Sequence, residues 1–204
     1  MTEHEHGSLS GRPDFDAIAA WVAPETTVLD LGCGDGLLLK FLSASRGVKG
    51  YGIEITDENV LASVRNGVNV IQSDLERGLQ GFDAGSFDYV ILSQTLQAMR
   101  HTEKIVFEML RVGRQAIVTF PNFGHWLARW QVAFGGRMPV SAALPYQWYD
   151  TPNVHLCTIR DFERFCAAHS IRVLERIVLH AGRRVSLLPN LLGSLAVFRF
   201  EKKQ

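Results

Sequence analysis

The sequence has no excess of either charge. Lysine plus arginine number 21, aspartate plus glutamate also number 21, and the formal net charge is therefore zero. Proteins that bind nucleic acid usually carry a basic excess, because they must neutralise phosphates. Six arginines gather between Arg160 and Arg184, but such a run is typical of a solvated face. The composition therefore argues against a broad phosphate-binding surface, and we expect no nucleic-acid partner.

Cysteine is scarce and long apolar runs are missing. The three cysteines, Cys33, Cys157 and Cys166, form no C-x-x-C pair, so the sequence predicts neither a disulfide framework nor a metal site. No apolar run approaches the roughly 18 residues that a membrane helix needs. The polar start, MTEHEHGSLSGRPDF, has no signal-peptide core. We therefore expect a cytoplasmic protein without a membrane partner, in which residues 1–13 are disordered.

Strand-like and helix-like patterns alternate along most of the chain. Five short apolar segments have strand character: TTVLDL, VKGYGIEI, VNVIQSD, FDYVILSQ and QAIVTF. The helical patterns between them are GDGLLLKFLSASRG, TDENVLASVRNG with Thr56 or Asp57 as its cap, and HTEKIVFEMLRVG with Thr102 as its cap. Another helix precedes the first strand, over Asp14 to Val22. This alternation predicts a parallel sheet that helices cover on both faces.

The C-terminal part has a different order. The segment CTIRDFERFCAAHS is predicted as a helix in which Thr158 and Asp161 have nearly the spacing of a capping box. Two strand patterns, IRVLERIVLH and LAVFRF, follow with no helix predicted in residues 181–194, so they should pair antiparallel. The sequence thus predicts a single α/β domain over residues 14–204. Its doubly wound, Rossmann-like sheet has seven strands, mostly parallel, and ends in an antiparallel hairpin.

The stretch VLDLGCGDG, residues 28–36, is an apolar strand that runs into a glycine-rich loop. A dinucleotide-binding fold requires G-x-G-x-x-G, whereas these glycines alternate and Leu37 stands where the third should fall. The loop is also acidic, since Asp30 precedes it and Asp35 lies inside it. Two carboxylates would repel a pyrophosphate. They suit a ligand with a sulfonium and an ammonium group, such as S-adenosylmethionine (SAM).

Polar side chains follow the next three predicted strands, where a doubly wound sheet binds its ligand. Glu54 can accept hydrogen bonds from both ribose hydroxyls. Asp74 and the amide of Leu75 can meet the adenine edge, while Ser93 and Gln94 lie near the methionine part. A solvated strand end for Glu54 and a turn cap for Asp74 are simpler alternatives. The residues predicted to bind SAM or S-adenosylhomocysteine are Asp30, Gly32, Cys33, Gly34, Asp35, Gly36, Glu54, Ile55, Asp74, Leu75 and Ser93.

Two sets of motifs resemble known proteins. VLDLGCGDG, GIEI, QSDL and FDYVILSQTLQ resemble the class I SAM-dependent methyltransferase fold. LSQTLQAM, EMLRVGRQAIVTFPNFGHW, GRMPV and LPYQWYDTPNVHLCTIRDFE resemble the methionine biosynthesis protein MetW family, over most of residues 14–200. That resemblance implies a role in methionine synthesis beside a homoserine O-acyltransferase of the MetX type. The expected functions are a SAM-binding accessory subunit of that enzyme or, as the alternative, an active small-molecule methyltransferase.

No acceptor chemistry can be assigned from the sequence. The candidate bases beyond the fifth strand are Asn122, His125 and His155, and none has a recognisable partner at a fixed spacing. The fourth strand ends in LSQTLQ, which gives no support for methylation of a base or an amide nitrogen. Cys33 is expected to fill the loop, since no basic partner that would make it a nucleophile is visible. The catalytic residues stay unknown at this point.

An aromatic-rich insertion occupies residues 121–160. Eight of the twenty aromatic residues and three of the four tryptophans lie between residues 120 and 149. Trp126, Trp130 and Phe134 recur at the spacing of one helical face. That face could be a satellite core, an acceptor lid or a patch for a partner.

The arginines suggest where a partner would bind if the insertion is such a patch. Arg129 lies at the edge of the aromatic face. The arginine-rich helix from Arg160 to Arg172 is the next candidate surface.

Overall fold

A computed structural model describes residues 11–203, and within that range eight strands form one sheet. The strands are β1 (Thr27–Leu31), β2 (Lys49–Glu54), β3 (Asn69–Gln72), β4 (Phe87–Ser93), β5 (Gly113–Pro121), β6 (Ile171–His180), β7 (Arg183–Arg184) and β8 (Leu195–Lys202). They are ordered β3-β2-β1-β4-β5-β8-β6-β7 across the sheet. The first five pair in parallel, and β8 pairs antiparallel with both β5 and β6. The predicted Rossmann-like sheet with an antiparallel C-terminal pair is confirmed.

Helices flank the strands as the alternation predicts. Those in the described range are α1 (Pro13–Trp21), α2 (Leu37–Arg46), α3 (Asp57–Arg65), α4 (Thr102–Val112), α5 (Trp126–Ala133), α6 (Ile159–Ala168) and α7 (Pro189–Leu192). None of them is long and apolar enough to cross a bilayer. The disorder predicted for residues 1–13 falls mostly on residues 1–10, which lie outside the described range. For Pro13 the prediction is wrong, because this residue begins α1.

Local signals explain where several helices begin and end. Gly47 ends α2 in the left-handed conformation, with φ of 66°. The capping box at the start of α6 is present, because the side chains of Thr158 and Asp161 each accept a hydrogen bond from the backbone N–H of the other. The cap predicted at Thr102 is wrong. His101 occupies that position, and the Thr102 hydroxyl donates to the carbonyl of the residue three positions earlier.

Alternate residues of each central strand point to two different cores. On one face, Leu29 and Leu31 of β1 and Val90 of β4 pack against α4 and α6. On the other face, Val28 and Ile91 pack against α1 and α2. This is the period of two that a pleated strand imposes. Because helices cover both faces, the central strands are continuously apolar in sequence.

Two short elements in the C-terminal linker differ from the prediction. Arg183–Arg184 forms a strand that pairs with the end of β6, so the sheet has eight strands where the sequence predicts seven. Pro189–Leu192 forms α7 in a segment where no helix is predicted. With two and four residues, respectively, these elements are too short to show a hydrophobic period.

The insertion after β5 begins at a buried junction built on Asn122. Oδ1 of Asn122 accepts hydrogen bonds from the backbone N–H groups of Gly124 (3.0 Å) and Ile159 (3.3 Å). Its Nδ2 donates to the carbonyl oxygens of Asn190 (3.1 Å) and Gly193 (2.7 Å). One side chain therefore joins the end of β5, the start of α6 and the α7 segment.

Replacing Asn122 by alanine should destabilise the fold strongly. The change would leave two N–H groups and two carbonyl groups unpaired at a buried site, and each such group costs about 1–3 kcal/mol. We expect the free energy of unfolding, measured by urea denaturation, to fall by about 3 kcal/mol or more. Asn69→Ala, at an exposed position of β3, is the control and should change it by less than about 0.5 kcal/mol. Equal effects of the two variants would contradict the role given to Asn122.

Candidate functional site

The carboxyl ends of the parallel strands meet at one edge of the sheet. The strands β1, β2 and β3 pair in register up to their last residues. The loop after β1 then folds against β2, because the N–H groups of Gly32 and Cys33 both donate to the carbonyl oxygen of Ile53 (2.8 and 3.0 Å). The glycine loop thus reaches Glu54, and the N–H after β3 also bonds to the Glu54 carbonyl. The topology brings together the strand ends that the sequence argument singled out.

Gly34 differs from the other glycines of the loop in having open space beside its Cα. A β-carbon on Gly32 would lie 2.9 Å from Oγ1 of Thr95, and one on Gly36 would lie 2.9 Å from Oγ of Ser63. A β-carbon on Gly34 would meet nothing within 4 Å. Packing inside the protein explains Gly32 and Gly36. Gly34 has a φ of 57°, which favours glycine, and it also leaves room for a ligand to approach the backbone.

The carboxylate of Glu54 fixes the loops on both sides of it. Glu54 is only 7% exposed, and its Oε2 accepts a hydrogen bond from the Gly34 N–H (3.0 Å). Oε1 accepts three, from the Ile55 N–H (2.9 Å) and from the N–H and hydroxyl of Thr56 (3.0 and 3.1 Å). Burial alone would raise the pKa of Glu54, but these hydrogen bonds together lower it below its ordinary value. Glu54 is therefore a buried, ionised acceptor, not a solvated strand end.

Asp30 is a buried carboxyl with an unpaired oxygen. It lies on β1 and is 2% exposed, and its Oδ1 has no hydrogen-bond partner among residues 11–203. Burial, together with the charge of Glu54, raises the pKa of Asp30 to about 8. Burial, reinforced by Asp30, also raises the pKa of the Cys33 thiol to about 11. Cys33 is thus a packed, protonated side chain, as expected for a loop filler.

The other predicted residues near this edge divide into local caps and apolar surface. The carboxylates of Asp35 and Asp74 each accept a hydrogen bond from the backbone N–H two residues later (3.2 and 2.9 Å). The turn-cap alternative therefore holds for Asp74. Ile55 is 56% exposed next to Glu54, and Leu75, which begins a short 3-10 helix, is half-buried.

The end of β4 forms a strained turn. The hydroxyl of Ser93 shares a hydrogen bond with Oγ1 of Thr119 (3.1 Å), which also accepts one from the Gln94 N–H (2.9 Å). Gln94 has a φ of 53°, which is uncommon for a residue other than glycine. Its side-chain amide donates to the buried Asp14 of α1 (3.1 Å). Backbone strain of this kind is concentrated at functional sites.

Three residues that hold the site are missing from the sequence prediction: Thr56, Ser63 and Thr119. Ser63 is fully buried on α3 and donates from its hydroxyl to the Gly34 carbonyl oxygen (2.9 Å). Its position as a polar residue on the inner face of α3 is the sequence feature that could have indicated this role. Thr56 and Thr119 carry no such signal, because their roles depend on which side chains the fold brings next to them.

The three candidate bases do not form a catalytic group. Asn122 uses its amide in the junction described above, and the ring of His125 stacks on that of His180 with 4.9 Å between their centroids. Burial lowers the pKa of His125, and the nearby His180 adds to the effect. His155 lies in a separate cleft of about 850 Å³ lined by α4 and α6, where its ring donates to the Arg100 carbonyl oxygen (3.2 Å). Within residues 11–203, no three His, Cys, Asp or Glu side chains are arranged to hold a metal ion.

Replacing Asp30 by asparagine should stabilise the protein at neutral and alkaline pH. The carboxyl has a pKa of about 3.9 in an unfolded chain and about 8 in the fold, so folding requires it to bind a proton. Its contribution to stability is full below the unfolded value and is lost as the pH rises through the folded value. The amide has the same shape and no charge. We expect the variant to exceed the wild type by roughly 2 kcal/mol or more in free energy of unfolding at pH 8.

The difference should shrink as the pH falls towards 5. Denaturant titrations at several pH values measure it, with Asp83→Asn at an exposed position as the control that should show no gain. An Asp30→Asn protein that is less stable than the wild type at pH 8 would show that Asp30 is a favourable buried charge.

Solved structures similar to this one include SAM-dependent methyltransferases. Magnesium protoporphyrin IX methyltransferase from Synechocystis, solved with bound S-adenosylhomocysteine, gives a TM-score of 0.67 at 17% identity and covers 96% of this chain and 84% of that one. A SAM-dependent methyltransferase from Aquifex aeolicus gives a TM-score of 0.62 at 16% identity and covers 92% and 88%. At these identities the likeness concerns the fold. The chain has the class I methyltransferase fold that its strand-end motifs resemble.

Sequence comparison identifies the family. A profile described as "Methionine biosynthesis protein MetW" matches residues 12–200. The bifunctional methionine biosynthesis protein MetXA/MetW from Rhodopirellula baltica is 34% identical over 203 residues, which cover 93% of this chain and 33% of the relative. The chain therefore spans about a third of that relative's length. Because the family model matches residues 12–200, almost the whole chain, the protein belongs to the MetW family of methionine biosynthesis proteins.

Proposed function

We propose that this protein is a SAM-binding accessory subunit of a homoserine O-acyltransferase. The main observation in support of SAM binding is the strand edge formed by Gly34 and Glu54. There the backbone nitrogen of Gly34, which has open space beside its Cα, lies 3.0 Å from Oε2 of Glu54. An ionised acceptor beside accessible backbone suits a ligand with hydroxyl donors and a positive charge. SAM has both, and S-adenosylhomocysteine keeps the hydroxyls and the ammonium group.

The predicted ligand contacts fit this edge. Oε2 of Glu54 accepts a single hydrogen bond from the described residues, so it keeps acceptor capacity for a ribose hydroxyl. The exposed side chain of Ile55 and the half-buried Leu75 offer apolar surface for adenine. Asp35 adds negative potential at the glycine loop, which favours a cation, whereas the buried Asp30, with its pKa raised to about 8, is largely protonated at neutral pH. Ser93 would face the methionine part.

The partner part of the proposal rests on the fused relative. The name of the Rhodopirellula baltica protein joins MetXA and MetW in a single chain, of which this chain matches a third. Fusion raises the effective concentration of one unit around the other, which benefits units that act together. SAM is made from methionine, so a subunit that binds SAM can couple acylation of homoserine to the supply of the end product.

A small-molecule methyltransferase is the second candidate. It is favoured by a cavity of about 240 Å³ near the ends of β4 and β5, lined by Gln94 and Pro121 and by part of the insertion. Methyl transfer to a good nucleophile requires chiefly alignment and exclusion of water. The accessory role ranks first, because Asn122 and His125 are engaged in structural contacts and do not form a base for an acceptor.

Glu54→Gln should weaken the binding of SAM and S-adenosylhomocysteine about tenfold or more. The amide keeps the side chain's shape but removes the charge and one acceptor oxygen, and a hydrogen bond to a charged acceptor contributes about 1.5–3 kcal/mol. Calorimetry measures the affinity directly. Glu58→Gln, in the exposed first turn of α3, is the matched control and should bind as the wild type does. Equal binding by both variants would remove Glu54 from the ligand site, and no binding by the wild type would overturn the ligand assignment.

The protein should raise acyltransferase activity without consuming SAM. We expect labelled SAM to give no useful turnover with homoserine or homocysteine, because Asn122 and His125 are engaged in structural contacts and do not form a base. Assays of the MetX-type acyltransferase from the same organism, with and without this chain, measure the accessory effect. Steady formation of S-adenosylhomocysteine that depends on one of these acceptors would put the methyltransferase first. An acyltransferase that neither binds the chain nor responds to it would refute the accessory role.

A further inference from the structure

A groove of about 410 Å³ joins the two arginine surfaces that the sequence treats as separate candidates. We call it the arginine groove. Its walls come from α5, α6, β6 and the α7 segment. The residues that define it are Arg129, Arg160, Arg176, Leu188, Pro189 and Leu191.

The groove carries an excess of positive charge although the chain as a whole is neutral. Glu163 is the acid among its lining residues, and it forms an ion pair with Arg176. Neither Arg129 nor Arg160 forms an ion pair with any residue between 11 and 203. Two cations that line a concave surface without a counter-charge favour an acidic occupant.

Arg129 is also held in place before any partner arrives. Its Nε donates to the carbonyl oxygen of Gly124 (2.6 Å), at the start of the insertion. The terminal nitrogens of the guanidinium make no hydrogen bond within the described residues, so they can pair with a carboxylate. An arginine whose side chain is already ordered loses less conformational freedom on binding.

Exposed apolar side chains lie in the groove and on the helix that contributes Arg129 to it. Leu188 is 58% exposed and has a φ of 44°, a left-handed conformation that leucine rarely adopts. The carbonyl oxygen of Leu188 begins α7 by accepting hydrogen bonds from the N–H groups of Leu191 and Leu192, while its apolar side chain stays in solvent. The aromatic face of α5, which consists of Trp126, Trp130 and the C-cap residue Phe134, is also exposed, with Phe134 at 75% and the two tryptophans near one half. At these exposures the three aromatic side chains do not themselves form a buried core.

We propose that the arginine groove and the aromatic face of α5 form the docking surface for the acyltransferase. The occupant is a segment of that enzyme that places a carboxylate between Arg129 and Arg160 and apolar side chains against α5 and Leu188. Aromatic and arginine residues around a concave centre are the usual anchors of protein interfaces. This inference rests on the proposed function, because it assigns the surface through which the accessory subunit acts.

Arg160→Glu is the sharpest test, because its effects on folding and on docking have opposite signs. Arg160 is in the first turn of α6, where an acidic residue interacts favourably with the helix dipole, so the melting temperature should stay the same or rise. The affinity for the acyltransferase, measured by calorimetry or biolayer interferometry, should fall at least tenfold. Arg65→Glu, on the exposed side of α3 beside the opposite edge of the sheet, makes the same charge change and should leave affinity unaltered.

A second variant tests the apolar side of the surface independently. Leu188→Asn keeps the left-handed backbone, which asparagine tolerates, and removes the exposed apolar side chain. We expect it to fold as the wild type does and to bind the acyltransferase several-fold more weakly. SAM binding should be unchanged in both variants.

The outcomes separate this inference from the proposed function. A wild-type chain that does not bind the acyltransferase overturns both. A wild-type chain that binds while both variants bind equally well overturns only the docking surface. If the chain alone dimerises and Arg160→Glu makes it monomeric, the groove is a contact between copies and the assignment to the acyltransferase is wrong.

Discussion

The hydrogen bonds that converge on the carboxylate of Glu54 hold the candidate site together. They tie the loop after β1 to the residues that follow β2, so neither can shift alone. Burial raises the pKa of both Asp30 and Cys33, and the charge of Glu54 adds to that rise. All of this depends on the parallel pairing of β1 with β2, which places the two loops side by side. The acceptor is therefore formed and oriented by the protein itself, which reduces the ordering that a ligand must impose.

The fold could be predicted wherever a local rule and the hydrophobic period agree. The capping box of Thr158 and Asp161 and the glycine stop at Gly47 depend on a few neighbouring residues, and both are visible in the sequence. The antiparallel ending follows from two strands without a helix between them. The short strand at Arg183 and the helix α7 could not be predicted, since their existence depends on contacts with β6 and with Asn122. A threonine at the start of α4 was a plausible cap, but the chain enters the helix one residue earlier.

The residues of the candidate site also fall into those that the sequence predicts and those that it does not. Sequence order places Glu54 and Ser93 at strand ends, and the parallel topology brings strand ends to one edge. Sequence order does not determine which side chains meet across that edge, so the contacts of Ser63 and Thr119 could not be predicted. The same limit applies to Asn122. Its amide is a candidate catalytic group in the sequence, but in the fold it is hydrogen-bonded to four backbone groups. Residues that act alone at a strand end can be predicted, whereas residues that act through distant neighbours cannot.

The two edges of the sheet differ, since the four residues of β3 pair with most of β2, whereas β7 pairs only with the last two residues of the ten-residue β6. A long open edge offers unpaired N–H and C=O groups to a strand from another molecule, and this is a common route to both peptide capture and aggregation. Most of the outer side of β6 has no partner strand among residues 11–203, but a bulge between Val173 and Glu175 and the exposed charged side chains of Arg172, Glu175 and Arg176 oppose the addition of a strand there. We therefore expect association of this chain with another protein to depend on side chains more than on added strands. Its specificity can change by single substitutions, while the backbone pairing that holds the sheet stays as it is.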